Sequence, residues 1–273
     1  MQAGADVVLR NGAGDEARLS TQGAQLLSWQ PAGEGEQLYL SPLSRPAPGV
    51  AVRGGVPVCF PQFSERGPLP KHGFVRTQEW QLLVPPVPHA PIAEARFQLD
   101  SSMPGPWDRA FCVVLVARLG ARWLELELQA ANTGRTPWSF TAALHTYLQV
   151  GDVRAVRIAG LRGLDYEDMV GGNTLRSETE PVLAIADETD RVYREAARAI
   201  DVTEPGRPPR HVTQQGFRDA VVWNPGPAKA TRLGDMPADD WPRMLCIEAG
   251  AIAQPVELAP GKTWSGIQRI ALA

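Results

Sequence analysis

Arg122-Trp123-Leu124-Glu125-Leu126-Glu127-Leu128-Gln129 is the stretch that decides the fold class. Leu124, Leu126 and Leu128 recur at every second position with glutamates between them, the period of a strand with one dry and one wet face. The apolar run 111–119 precedes it across Gly120, so the two segments are expected to pair as a hairpin. Outward from this hairpin, further strand candidates are 6–10, 17–29, 139–150, 153–158, 220–223, 244–252 and 264–272, separated by Gly and Pro turn signals. Residues 190–200, DRVYREAARAI, have good helix propensity but are assigned to a strand, and a short helical turn is expected over 237–241.

Gly and Pro supply 26 and 25 of the 273 residues, about 19 % against roughly 12 % in average proteins, which argues against a helical bundle. Hydrophobic residues at 44 % argue against disorder. The expected fold is therefore all-β, a large antiparallel sandwich forming a single domain over 1–273. Lys+Arg 27 against Asp+Glu 30 leaves a net charge of -3, so the broad basic field that nucleic acid requires is missing. An anionic ligand would have to meet a local cluster of cations. No apolar stretch approaches the ~20 residues that span a bilayer, and the start MQAGADVVLRNGAG lacks the basic and apolar regions of a secretion signal. A cytoplasmic, soluble protein with no membrane or nucleic-acid partner is expected. Cys59, Cys112 and Cys246 are odd in number, lie in apolar settings and lack C-x-x-C spacing, which favours buried, reduced thiols over disulfides or a zinc site.

Among residues able to carry chemistry, Glu248 stands in Met244-Leu245-Cys246-Ile247-Glu248-Ala249-Gly250-Ala251-Ile252, a segment with no other charge. Burial would raise its pKa toward the range of a general base at neutral pH, although a structural Glu paired with arginine fits the pattern equally well. His145, in an expected strand, shares a face with Ala143 and Tyr147 and titrates near cell pH; a lone strand histidine is more often a satisfied core or surface group. Arg53 precedes Gly54-Gly55, which permit close backbone approach, and Lys71, His72 and Arg76 follow within 24 positions. Such a cluster suits a phosphate or carboxylate, and a scattered solvated surface is as good a reading of composition alone. No phosphate loop is present, and the four histidines show no tight metal-ligand spacing.

Six motifs, in order, resemble one family: RGGVPVCFPQF from Arg53, LPKHGFVR from Leu69, ALHTYLQVGD from Ala143, TDRVY from Thr189, VVWNP from Val221 and MLCIEAGAI from Met244. They are similar to the hexose-6-phosphate mutarotases, or glucose-6-phosphate 1-epimerases, a branch of the aldose 1-epimerase-like proteins. The resemblance implies a β-sandwich of the galactose-mutarotase type, interconversion of the anomers of an aldohexose 6-phosphate, and no metal or organic cofactor. It implies His145 as the acid that protonates the ring oxygen and Glu248 as the base that removes the anomeric hydroxyl proton. Arg53 and Arg76 would bind substrate and phosphate, Asp190 would hold sugar hydroxyls, and His72 would be a second polar contact near the ring. Lys71 departs from relatives with an amide side chain there, leaving it either a phosphate contact or a solvated group. Trp223 packs near the sugar or in the core.

The expected partner is a small-molecule sugar phosphate, and the expected state a monomer. A bell-shaped pH profile is expected, with its acidic limb on Glu248 and its basic limb on a His145 whose charged form a carboxylate favours. Competing readings are an epimerase for unphosphorylated aldoses, a non-catalytic carbohydrate-binding module, and a glycoside hydrolase using Asp190 and Glu248.

Overall fold

The computed structural model describes residues 5–45, 47–102 and 105–273. Trp123–Asn132 alternates buried and half-buried residues, and Phe111–Gly120 pairs with it antiparallel, Leu115 opposite Leu128 and Leu119 opposite Leu124. The leucines gain a dry face while Glu125 and Glu127 stay on the other, where Arg118 bridges them at 3.0 and 2.9 Å. This hairpin sits within a nine-stranded sheet ordered Val182–Leu183, Arg157–Ala159, Ile200–Thr203, Arg210–Gln215, Thr263–Leu272, Trp123–Asn132, Phe111–Gly120, Ala93–Asp100 and Gln81–Val84.

A second sheet runs Thr174–Ser177, Asp165–Asp168, Thr189–Tyr193, Asp219–Asn224, Met244–Leu258, Trp138–Leu144 and Val58–Cys59, with Tyr147–Gln149 also paired to Met244–Leu258. A three-stranded sheet holds Asp6–Arg10, Glu16–Ser20 and Leu26–Gln30. Every pairing between these strands is antiparallel.

The two large sheets face each other across one apolar cluster. Leu245, Ile247, Ala249 and Ala251 of Met244–Leu258 join Leu124, Leu126, Leu128 and Ile270 in it. Met244 and Cys246, on the opposite face of the same strand, belong to a second cluster with Val221 and Trp223, capped by Tyr39, Phe63, Ala230 and Met236. A strand covered on both faces is apolar at every position. That explains the missing alternation in 244–252, where every residue is buried, and places Glu248 on the face away from the other sheet.

Several expected strands are shorter than the sequence suggested. Residues 17–29 form two strands separated by a turn at 21–25, where Gly23 and Ala24 have φ of 71 and 48°. Residues 153–158 begin as a 3-10 turn, Val153–Ala155, because the Asp152 side chain accepts the Arg154 N–H; the strand is Arg157–Ala159. Residues 190–200 are extended only to Tyr193, then turn through Glu195 at φ 52° before Ile200–Thr203. The helical turn expected over 237–241 lies at Trp241–Arg243, and the α-helix Gly226–Ala230 had no counterpart in the sequence reading. Cys59 and Cys246 are buried free thiols, whereas Cys112 is only half-buried. No helix among the described residues is long and apolar enough to cross a membrane.

Candidate active site

Register brings the two candidate proton carriers together. Leu144 pairs with Ala249 and Tyr147 with Cys246 in one antiparallel ladder, which sets His145 opposite Glu248 and Thr146 opposite Ile247. The strand expected over 139–150 breaks at these two residues. His145 N–H donates to Pro57 O and Thr146 N–H turns back to Leu144 O, both at 3.0 Å. Residues 53–59 run alongside, with Gly55 O accepting the Tyr147 N–H at 2.9 Å. The approach depends on glycine: at Gly55, with φ 59°, a Cβ would stand 1.9 Å from Leu26 O.

His145 and Glu248, 8 % and 2 % exposed, form the floor of a cavity of about 250 Å³. Arg53, Lys71, His72, Arg76 and Asp190 also line it, so all seven sequence candidates meet in one place. His145 Nδ1 lies 3.4 Å from Glu248 Oε1, yet among the described residues neither His145 Nδ1 nor Glu248 Oε2 has a hydrogen-bond partner. A buried polar atom left unpaired costs about 1–3 kcal/mol, so both atoms gain from a ligand that pairs with them. The imidazole stacks on Tyr147, 4.7 Å between centroids at 7°, and meets the edges of Trp223 and His72 at 5.9 and 5.5 Å. These contacts fix its plane.

Burial dominates the electrostatics. It holds the Glu248 carboxyl well above the usual carboxylate range, and the Asp190 charge adds to this. It holds His145 well below the usual imidazole range, helped by His72, Arg76 and Arg53. The expectation that a carboxylate would favour imidazolium is corrected here, because desolvation and three cationic or titratable neighbours outweigh it. Burial followed by Arg76, Lys71 and Arg53 pushes His72 down to about 3, so His72 is neutral. Its Nδ1 accepts the Ser64 N–H at 3.3 Å, which leaves Nε2–H as a donor. Burial raises Asp190 to about 6, Glu188 adding to the rise and Lys229 opposing it.

The cations divide into two kinds. Arg53 Nε bonds Asp235 Oδ1 at 2.6 Å and its Nη1 bonds Tyr147 Oη at 3.2 Å, and its guanidinium lies 5.9 Å from the Trp223 ring. Its charge is compensated. Arg76 donates from Nη2 to Lys71 O at 2.9 Å, and its buried Nε is unpartnered. Among the described residues no carboxylate lies within ion-pair distance of Lys71 or Arg76. Lys229 and Asp235 also line the cavity. Sequence reasoning missed both, since Lys229 stands in a short helix, Gly226–Ala230, that the sequence did not announce and Asp235 in a loop where charge is ordinary. His145, Cys246 and Glu248 are the group among described residues able to gather a metal, with ligand atoms within 4.8 Å of one another. Burial, with the Glu248 charge adding to it, holds the Cys246 thiol well up.

The aldose 1-epimerase family profile matches residues 5–271. The chain belongs to that family. It is 34 % identical over 280 residues to a protein of Cenchrus ciliaris named "Putative glucose-6-phosphate 1-epimerase", covering 98 % of this chain and 84 % of that one. A protein of Escherichia coli K12 with the same name is 34 % identical over 267 residues, 94 % of this chain and 87 % of the other. A crystal structure described as a putative mutarotase from Salmonella typhimurium superposes with a TM-score of 0.89 at 31 % identity, over 98 % of this chain and 90 % of that one. The sandwich is thus of the galactose-mutarotase type and the activity class is that of an aldose epimerase.

Proposed function

We propose that the protein interconverts the α and β anomers of an aldohexose 6-phosphate, with glucose 6-phosphate the leading candidate. The observation that carries this reading is the cross-strand His145–Glu248 pair, desolvated and incompletely bonded, beneath a rim that offers Lys71 and Arg76. An anomeric hydroxyl and a ring oxygen lie on the same carbon, so one acid and one base side by side serve both. Glu248 carboxylate takes the O1 proton, the O1 lone pair forms the carbonyl, the C1–O5 bond breaks, and O5 takes the proton of the His145 imidazolium. Rotation about C1–C2 presents the other carbonyl face. O5 then attacks C1, Glu248 returns its proton to O1, and His145 recovers the proton from O5. Each positioned group contributes about 10² to 10⁴ in rate.

The pair holds one proton in total throughout. Ring opening converts carboxylate plus imidazolium into neutral carboxyl plus neutral imidazole, the forms that burial favours. The dry floor therefore favours the protonation state that accompanies the open-chain aldehyde over the charged pair that precedes it. His72 Nε2–H and Asp190, which line the cavity, are assigned to ring hydroxyls. Arg76 and Lys71 supply the unpaired positive charge that a phosphate needs, while Arg53, tied to Asp235 and Tyr147, orients the floor.

Exchange spectroscopy on glucose 6-phosphate and glucose, side by side, tests this. Strong acceleration of the phosphate ester with little effect on the free sugar is expected. Equal acceleration would favour an epimerase of unphosphorylated aldoses, and none on either would overturn the reading.

A further inference from the structure

The break in the ladder at His145–Thr146 leaves an acceptor without its donor. Ile247 N–H donates to Thr146 O at 3.1 Å, and in a regular antiparallel pair Thr146 N–H would answer to Ile247 O. It is diverted to Leu144 O instead. The missing donor comes from the other sheet. Gln268, in Thr263–Leu272, donates from Nε2 to Ile247 O at 2.9 Å, and its Oε1 accepts the Thr146 hydroxyl at 2.5 Å. It is 3 % exposed and stands where its neighbours on the same face are Gly266, Ile270 and Leu272. A primary amide inside an apolar interface requires both hydrogen bonds to offset its desolvation, and these two hold the residue after His145 and the residue before Glu248.

We infer that Gln268 is a positioning residue for the proton-transfer pair: reaching across the sandwich, it replaces the lost rung and thereby holds the His145–Glu248 separation. It does not line the cavity and acts through its bonds to Thr146 and Ile247. The inference rests on the epimerase reading, so the test includes a readout independent of turnover.

The variants are Gln268→Met, which keeps bulk and removes both bonds, Thr146→Val, which removes only the hydroxyl, and Gln268→Glu. In the dry interface the introduced carboxyl is neutral and, like the amide, has one donor and one acceptor to offer. Gln268→Met and Thr146→Val are expected to lower kcat about 10-fold to 100-fold, as small misplacements of reacting groups do, with KM changed less than about threefold, since the rim that binds substrate is untouched. Gln268→Glu is expected to recover most of the rate at low pH and lose it as the introduced carboxyl ionises, adding a second ionisation to the basic limb of the parent.

Imidazole NMR titration reads the pair without turnover. His145 is faced by Glu248, His72, Tyr147 and Trp223, with Arg53, Arg76, Asp190 and Cys246 nearby. Only its relation to Glu248 is expected to change in Thr146→Val, so its titration should move while that of His72 stays. Folded Thr146→Val with parental kcat and an unmoved His145 titration would overturn the inference, whatever happens to melting temperature, and would do so even if Gln268→Met fails to fold. A moved His145 titration in a protein without anomerase activity would overturn the proposed function and leave the positioning role standing.

Discussion

Replacing Glu248 by Gln should disable the enzyme and stabilise the protein. The carboxyl is 2 % exposed, one oxygen lacks a partner, and its titration is displaced upward by burial and then by Asp190. A carboxyl with a raised folded pKa is fully tolerated below its unfolded value, near 4.3, and loses stability as pH climbs from there through the folded value. The unfolded chain has by then released a proton that the native chain retains. Gln is neutral throughout, and its amide reaches toward His145 Nδ1. The stability gap should therefore be near zero at pH 4 and open in favour of the variant by about 1.4 kcal/mol per pH unit. In melting temperature that is about 3 to 6 °C per pH unit for a chain of this size, levelling off past the folded titration. Urea unfolding at several pH values measures the gap, and anomer exchange measures a loss of about 10² to 10⁴ in rate. A variant no more stable than the parent at pH 8 would refute the desolvated-carboxyl argument; one keeping more than about a tenth of the rate, against the expected 10², would refute the base assignment.

The pH–rate profile should rise as the doubly protonated pair loses its first proton, below the ordinary imidazole range, and fall as it loses its second, above the ordinary carboxylate range, which reverses the assignment of limbs expected from the sequence. The two limbs belong to the coupled pair, and a profile whose acidic limb lies at or above the ordinary imidazole range would contradict the downward displacement of His145. Asp190→Asn removes a charge that lifts Glu248 and should move the basic limb to lower pH, which kcat measured against pH will show. Arg76→Gln should cost about 10-fold to 100-fold in kcat/KM for the 6-phosphate, the worth of a charge-assisted contact of about 1.5–3 kcal/mol, with glucose much less affected. Arg53→Lys, by disturbing Asp235 and Tyr147, should lower both substrates alike.

How much of this was legible in the sequence depended on what surrounds each residue. Alternation at 124–128 exposed a strand wet on one face, and the unbroken apolar run around Glu248 exposed one covered on both. His145 was visible as a titratable group, but the break that turns its backbone toward Pro57 was not, because it arises from strand-to-strand hydrogen bonding. Arg53 and Arg76 looked equivalent as motif arginines. Their difference comes from Asp235, remote in sequence, which only folding brings to 2.6 Å. Gln268 read as one polar residue in a half-apolar strand, with nothing local to mark the partners it meets across the core. The direction of the imidazole shift was misjudged for the same reason: the carboxylate was foreseeable in sequence, whereas the degree of burial was not.

The cavity has a floor of strands and a rim of loops. Glu248 is held by ladders in the middle of a sheet and His145 sits at the break between Trp138–Leu144 and Tyr147–Gln149, whereas Lys71 and Asp235 lie on connections between elements and Lys229 in the short helix Gly226–Ala230. Loops tolerate exchange, and central strands do not. Under the proposed function, selectivity can consequently drift without damage to proton transfer: a changed 61–73 or 231–240 loop should redraw which substrates are welcomed and leave anomer exchange running beneath it. For an engineer seeking a mutarotase with a different sugar range, the rim is the place to build a library, and the floor, together with the amide of Gln268 behind it, is the part to leave alone.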